Sequence, residues 1–103
     1  MPIPRATLEV IKRANDLVEV VREQAVPLRR RGRTYFGICP FHAERTASFA
    51  VSREAGLFHC FGCGAGGDVI RFIERTHHVS FPEAVRRLAR RAGVVIDDGS
   101  ADR

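Results

Sequence analysis

Apolar residues recur at helical spacing near both ends of this chain, while short runs of aromatic and β-branched residues occupy its middle. Near the start, Leu8, Ile11 and Ala14 keep helical spacing. Asp16 with Glu19 three residues later forms a capping box that opens a second short helix through Val20 and Val21. Pro27 closes that region. The segments LRRRGRTYFGI, FAV and GLFHC then follow, separated by Gly and polar residues, and read as antiparallel strands. Asp68 after Gly66 and Gly67 caps a helix whose apolar residues are Val69, Phe72 and Ile73. Ser80 with Glu83, and Pro82 in the first turn, open a last helix; its stripe of Val85, Leu88, Ala89 and Ala92 ends before Gly93. Arg86, Arg87, Arg90 and Arg91 lie off that stripe and read as a solvated face. The fold class is α+β, a small antiparallel β-sheet flanked by α-helices.

With 103 residues, 45% hydrophobic and 28% charged, the chain has the composition of one folded unit near the lower end of what buries a useful core. Residues 1–98 read as that domain and 99–103 as a tail or the start of a linker. The start has no secretory h-region, and no run approaches the ~20 apolar residues that span a bilayer. The expectation is a cytoplasmic protein with no membrane partner. Seventeen Lys and Arg against twelve Asp and Glu give +5, and Lys12 is the only lysine. Arginine donates two hydrogen bonds to one phosphate, so the charge suits a polyanion as well as a solvated surface.

Three cysteines cannot all pair, and clustered thiols in a reducing compartment point to metal or redox chemistry. Cys39 and His42 are spaced C-x2-H, Cys60 and Cys63 C-x2-C, with seventeen residues between the pairs. Each pair fits one tight turn, and two such turns fill the tetrahedron of a single structural Zn²⁺. His59 is an alternative fourth ligand, but it neighbours Cys60 on a strand and should point to the opposite face. A thioredoxin-like reading would need a βαβ context and would leave Cys39 unexplained. The fragment HAE followed by CFGC also matches the skeleton of a zinc deaminase, whose zinc activates water for a glutamate. Cys39 is placed to close the position that water would need, and His59 stands where that signature has proline. Glu44 then has no catalytic role, and the chain carries no catalytic site.

CPFH, ERTASF and above all FHCFGCGAGGD closely resemble the amino-terminal zinc-binding domain of bacterial replicative DNA primases of the DnaG type, a likeness that runs from about Asp16 to Ile96. The resemblance implies a zinc-ribbon-like domain with Cys39, His42, Cys60 and Cys63 as ligands. It also implies a partner, a primase polymerase domain in cis or in trans, which this domain helps to choose an initiation site on a single-stranded DNA template and to start an RNA primer. Ala47 stands where the family's T-P-S-F pattern has proline, which loosens the loop before Ser48. Independently of the family, a single strand is held by positive charge along its backbone and by aromatic faces on which bases stack. Arg29, Arg30, Arg31 and Arg33 lead into Tyr35 and Phe36, with Arg45 just past the first ligand pair. Strand alternation selects Arg30, Arg33, Tyr35 and Arg45 as DNA contacts, with the core as the alternative place for Tyr35, and puts Phe36 or Phe49 in the core; Phe58 and Phe61 flank Cys60 and read as packing around zinc. A zinc ribbon that docks a partner protein and a stand-alone protein of a mobile element are the alternative functions.

Overall fold

The computed structural model describes residues 3–42 and 46–96; Glu44, Arg45 and the tail assigned to 99–103 lie outside the described residues. Helices α1 (Arg5–Ala14) and α2 (Leu17–Glu23) come first. They are followed by strands β1 (Arg29–Arg31), β2 (Thr34–Gly37), β3 (Phe49–Ser52), β4 (Leu57–Cys60) and β5 (Gly66–Gly67). Helices α3 (Val69–His77) and α4 (Phe81–Ala92) close the described chain. The five strands form one antiparallel sheet in chain order, β1 to β5.

The caps fall where the side chains place them. The Asp16 carboxylate accepts from the Glu19 N–H at 3.2 Å, that of Asp68 from Arg71 at 3.0 Å, and the Ser80 hydroxyl from Glu83 at 3.4 Å, each satisfying a donor left open at a helix start. Gly93 ends α4 with φ 71°, the left-handed conformation that glycine adopts without a Cβ clash. Strand β5 was not legible as a strand, because its two residues are glycines. It pairs through backbone alone, Gly67 opposite Phe58 and Gly66 opposite His59. A Cβ on Gly67, whose φ is 152°, would lie 2.7 Å from the Arg71 side chain, so the strand runs directly under the start of α3 only because glycine is there.

Alternation along β2, β3 and β4 sends Tyr35, Phe49, Val51, Phe58 and Cys60 to one face of the sheet, where all are buried. Helices α2 and α3 cover that face, and α4 packs on α3 and α1 behind them. Four rings, Phe41, Phe49, Phe58 and Phe72, meet at the centre with centroids between 5.5 and 6.3 Å apart. The other face of the sheet carries no helix among the described residues.

Two expectations for the helices change. In α1 the stripe is narrower than its spacing suggests: Ile11 is fully buried, Leu8 half-buried and Ala14 exposed, while the polar Asn15 is 2% exposed. Asn15 is tolerated there because its amide donates to the Ile11 carbonyl at 2.8 Å and to the Leu88 carbonyl of α4 at 3.1 Å. Arg91 is not a solvated charge. Its guanidinium donates to Glu23 of α2 at 2.8 Å and to the Asn15 amide oxygen at 3.0 Å, joining three elements, and this contact holds the Glu23 carboxyl below its usual range.

Asn15→Ala removes the amide that serves two buried carbonyls and should cost about 1–3 kcal/mol in denaturant unfolding of the zinc-loaded chain. Asn15→Asp, which presents an acceptor to those carbonyls, should cost at least as much.

Candidate metal centre and the open face of the sheet

Cys39 follows β2 and Cys60 ends β4, so the sheet itself brings the two ligand turns to one end. The second turn is pinned at both sides: the Gly64 N–H donates to the Cys60 carbonyl and the Cys60 N–H to the Ala65 carbonyl, both at 2.8 Å. Gly64 takes φ 81° to close it. The ligand atoms of Cys39, His42, Cys60 and Cys63 all lie within 4.8 Å of one another. The Sγ atoms of Cys39 and Cys63 are 3.9 Å apart, close to the ~3.8 Å edge of a tetrahedron built on a Zn–S bond of ~2.3 Å. The residues fit zinc. His59 sits on the outer face of β4, opposite in direction to Cys60, and is not part of the group.

The thiols are electrostatically unequal. Burial pushes Cys39 up to about 12 against one opposing N–H donor, that of Phe41 at 3.4 Å. Burial also pushes Cys60 up, but the N–H groups of Cys63 and Gly62, the Ser48 hydroxyl and the Cys39 thiol outweigh it and bring Cys60 down to about 7. Zinc, when bound, supplies a cross-link between the two turns and keeps the thiols ionised. Four protein donors leave no position for an activated water, so the arrangement is structural rather than catalytic.

Each turn carries a phenylalanine, and the two have opposite fates. Phe41 points into the aromatic core, with the Arg75 guanidinium 4.5 Å from its ring centroid. Phe61, expected to pack around the metal, is 72% exposed and meets only the edge of His59, at 4.7 Å, among the ring contacts of the described residues. The backbone parity that buries Cys60 turns the next residue outward. Phe61 stands at the rim of a shallow groove of about 520 Å³ on the uncovered face, lined by Phe36, Ala50, Leu57, His59 and Gly66.

The expected DNA contacts redistribute over this frame. Tyr35 faces the core at 8% exposed; its hydroxyl accepts from Arg53 at 3.0 Å and its ring lies beneath the guanidinium groups of Arg53 and Arg22, which leaves no face for a base. Arg30 is opposite Tyr35 in the ladder and shares its side of the sheet, whereas Arg29 is opposite Phe36 and Arg31 opposite Thr34 on the groove side. The groove side of β1 therefore carries Arg29 and Arg31, and Arg30 lies on the other side, all three of them exposed. The two-residue hairpin at Gly32–Arg33 pairs Arg31 with Thr34 and keeps Arg30 and Tyr35 on one side, as the sequence groups them; the cover of α2 on the sheet makes that side the core side at Tyr35. Arg33 is in that turn, 86% exposed on its side chain and 3.8 Å from Glu54. Arg45 lies outside the described residues.

The profile of the CHC2 zinc finger family, of zinc-ribbon type, matches residues 3–103. The chain belongs to the CHC2 zinc finger family. This CHC2 zinc finger is 48% identical over 110 residues to a DNA primase of Geobacillus stearothermophilus, covering 97% of this chain and 18% of that protein. It is 50% identical over 92 residues to a DNA primase of Thermotoga maritima, covering 89% and 16%. The crystal structure of the Aquifex aeolicus primase zinc binding and RNA polymerase domains superposes with a TM-score of 0.83 at 38% identity, covering 91% of this chain and 23% of that one. The CHC2 zinc finger thus spans less than a fifth of the length of these curated primases. It is a zinc-binding domain of the DNA primase type with one structural zinc, which Cys39, His42, Cys60 and Cys63 would hold.

Zinc in small structural sites is worth about 10–16 kcal/mol apparent, more than a core of this size supplies. Native mass spectrometry should count one zinc per chain. Chelation should collapse the amide dispersion of β2, β3 and β4, and restored zinc should recover it.

Proposed function

We propose that the domain binds a single-stranded DNA template on the open face of its sheet and presents it to a primase polymerase domain, in cis or in trans, for initiation of an RNA primer. The observation that carries this reading is the coincidence on one face of a groove bordered by Phe36, His59 and Phe61 with the side chains of Arg29 and Arg31 at its β1 edge. Aromatic faces accept stacked bases whatever their sequence, and the guanidinium groups neutralise the phosphates between them. Among the described residues no carboxylate pairs with Arg29 or Arg31, whereas Arg53 is engaged by two and Arg87 and Arg91 by one each. Arg33 extends the basic edge in this reading, and Arg45 remains a proposed contact on its charge alone. Small Ala50 and Gly66 keep the floor low, so a planar base can lie close to the backbone. As part of a replication protein, the domain works in the cytoplasm.

A protein-docking reading draws on Leu57, which is 50% exposed beside the same groove. A protein partner would use the apolar floor and be indifferent to the arginine edge; a single strand uses both.

Fluorescence anisotropy of a short single-stranded DNA, measured at several salt concentrations with the zinc-loaded chain, separates the two. Phe61→Ala and Phe36→Ala should each weaken binding by about 1–3 kcal/mol with little change in salt dependence. Arg29→Ala, Arg31→Ala and Arg33→Ala should each weaken it and flatten the slope of log K against log salt by about 0.7. Tyr35→Phe, Arg30→Ala and Arg86→Ala should bind as the unaltered chain does. DNA binding that is undetectable at low salt, or that survives loss of both Phe36 and Phe61, removes the template reading in favour of protein docking.

A further inference from the structure

Ser48 lies one residue before β3, just beyond the ladder pair Phe49 and Cys60. Its carbonyl accepts from the Phe61 N–H at 2.9 Å, continuing the ladder by one bond into the second ligand turn. Its hydroxyl is 3.7 Å from the Cys60 Sγ, within the range of a hydrogen bond to sulfur. Either atom of that pair could donate in a free thiol, but a thiolate that ligates zinc has no proton. With metal bound, the donor is the Ser48 hydroxyl.

The electrostatic need for that donor is specific to Cys60. Three thiolates and a neutral imidazole around a doubly charged ion leave a net negative charge, and Cys60 carries its share at 0% exposure, where no water reaches it. Cys63 is exposed and solvated, and Cys39 receives the Phe41 N–H. Charge-assisted hydrogen bonds from the protein take the place of solvent at such a sulfur. Cys60 is served by its own turn and, from outside it, by Ser48.

We infer that Ser48 is a positioning residue of the zinc centre, donating a hydrogen bond to the Cys60 thiolate that slows zinc release and shields this sulfur from electrophiles. The hydroxyl lowers the electron density available at Sγ, so a competing chelator must displace a ligand that is better stabilised where it is. The carbonyl, fixed on Phe61, sets the position from which the hydroxyl reaches the sulfur. This role concerns the metal alone and stands whether or not the open face binds DNA.

The test follows zinc transfer from the folded, zinc-loaded chain to a chromogenic chelator, together with alkylation by iodoacetamide mapped to each cysteine by mass spectrometry. Ser48→Ala should release zinc about 10–100-fold faster, and alkylation should rise at Cys60 relative to Cys39 and Cys63. Ser48→Thr, which keeps the hydroxyl, should restore both behaviours. In the cadmium-substituted wild-type chain, which needs no variant to fold, the Ser48 hydroxyl proton should be visible by NMR and slow to exchange. Unchanged zinc release in Ser48→Ala, equal release from the Ala and Thr variants, a uniform rise in reactivity at all three cysteines, or a hydroxyl proton that exchanges like that of an exposed serine would each overturn the assignment.

Discussion

The four-ligand cross-link carries a burden that the strands cannot. Strands of two to four residues, one of them only Gly66 and Gly67, are too short to hold a sheet by their ladders. The metal ties the turn after β2 to the turn after β4, closing a part of the chain that contains the whole of β3. The ring cluster lies immediately beneath, and Phe41 belongs to both structures, since it sits between two ligands and packs on Phe49, Phe58 and Phe72. Metal, ligand turn and aromatic core are thus one unit, and disturbance of any of them reaches the others.

The helices complete the covered face and leave the other bare. Arg53 extends from the end of β3 to Asp16 and Glu19 at the start of α2 and caps the Tyr35 hydroxyl on the way, joining sheet to helix. Arg91 joins α4 to α2 and to Asn15. Arg53 and Arg91, through carboxylates on other elements, therefore organise the fold, whereas Arg29 and Arg31 join no element to another by an ion pair among the described residues. The same residue type is tied into the fold at one place and left exposed at another, and only its neighbours distinguish the two.

The opposite directions of Phe41 and Phe61 follow from the backbone path of the two ligand turns rather than from hydrophobicity. A large exposed ring on a surface held rigid by zinc is a costly feature for a small domain, because it forgoes the burial that a phenylalanine normally supplies. On a flexible loop such a ring could fold back on the core. The ladder bond between Ser48 and Phe61, and the bonds that close the turn at Cys60, hold the backbone so that it does not.

Much of this was written in local sequence. The capped helices at Asp16, Asp68 and Ser80, the strands around Tyr35, Val51 and Phe58, and the pairing of two C-x2 turns into one site depend on neighbours a few residues apart, where spacing and side-chain chemistry act directly. What depended on distant partners was not legible. Arg30 and Tyr35 looked like contacts because charge and aromaticity are local properties, whereas their side of the sheet was fixed by hairpin register and by the helices that came to cover it. Arg91 reads as a surface charge until α4 brings it to Glu23, 68 residues away along the chain, and nothing local to Asn15 announces the Leu88 carbonyl that it meets, 73 residues away. A two-glycine strand had no side chains to announce it, and Phe61 could be assigned only when its backbone parity and the position of the metal turn were known together. Local sequence determined which elements form and which residues can hold zinc; tertiary structure decided which faces remained open, because burial and pairing are properties of surfaces that meet only after the chain has folded.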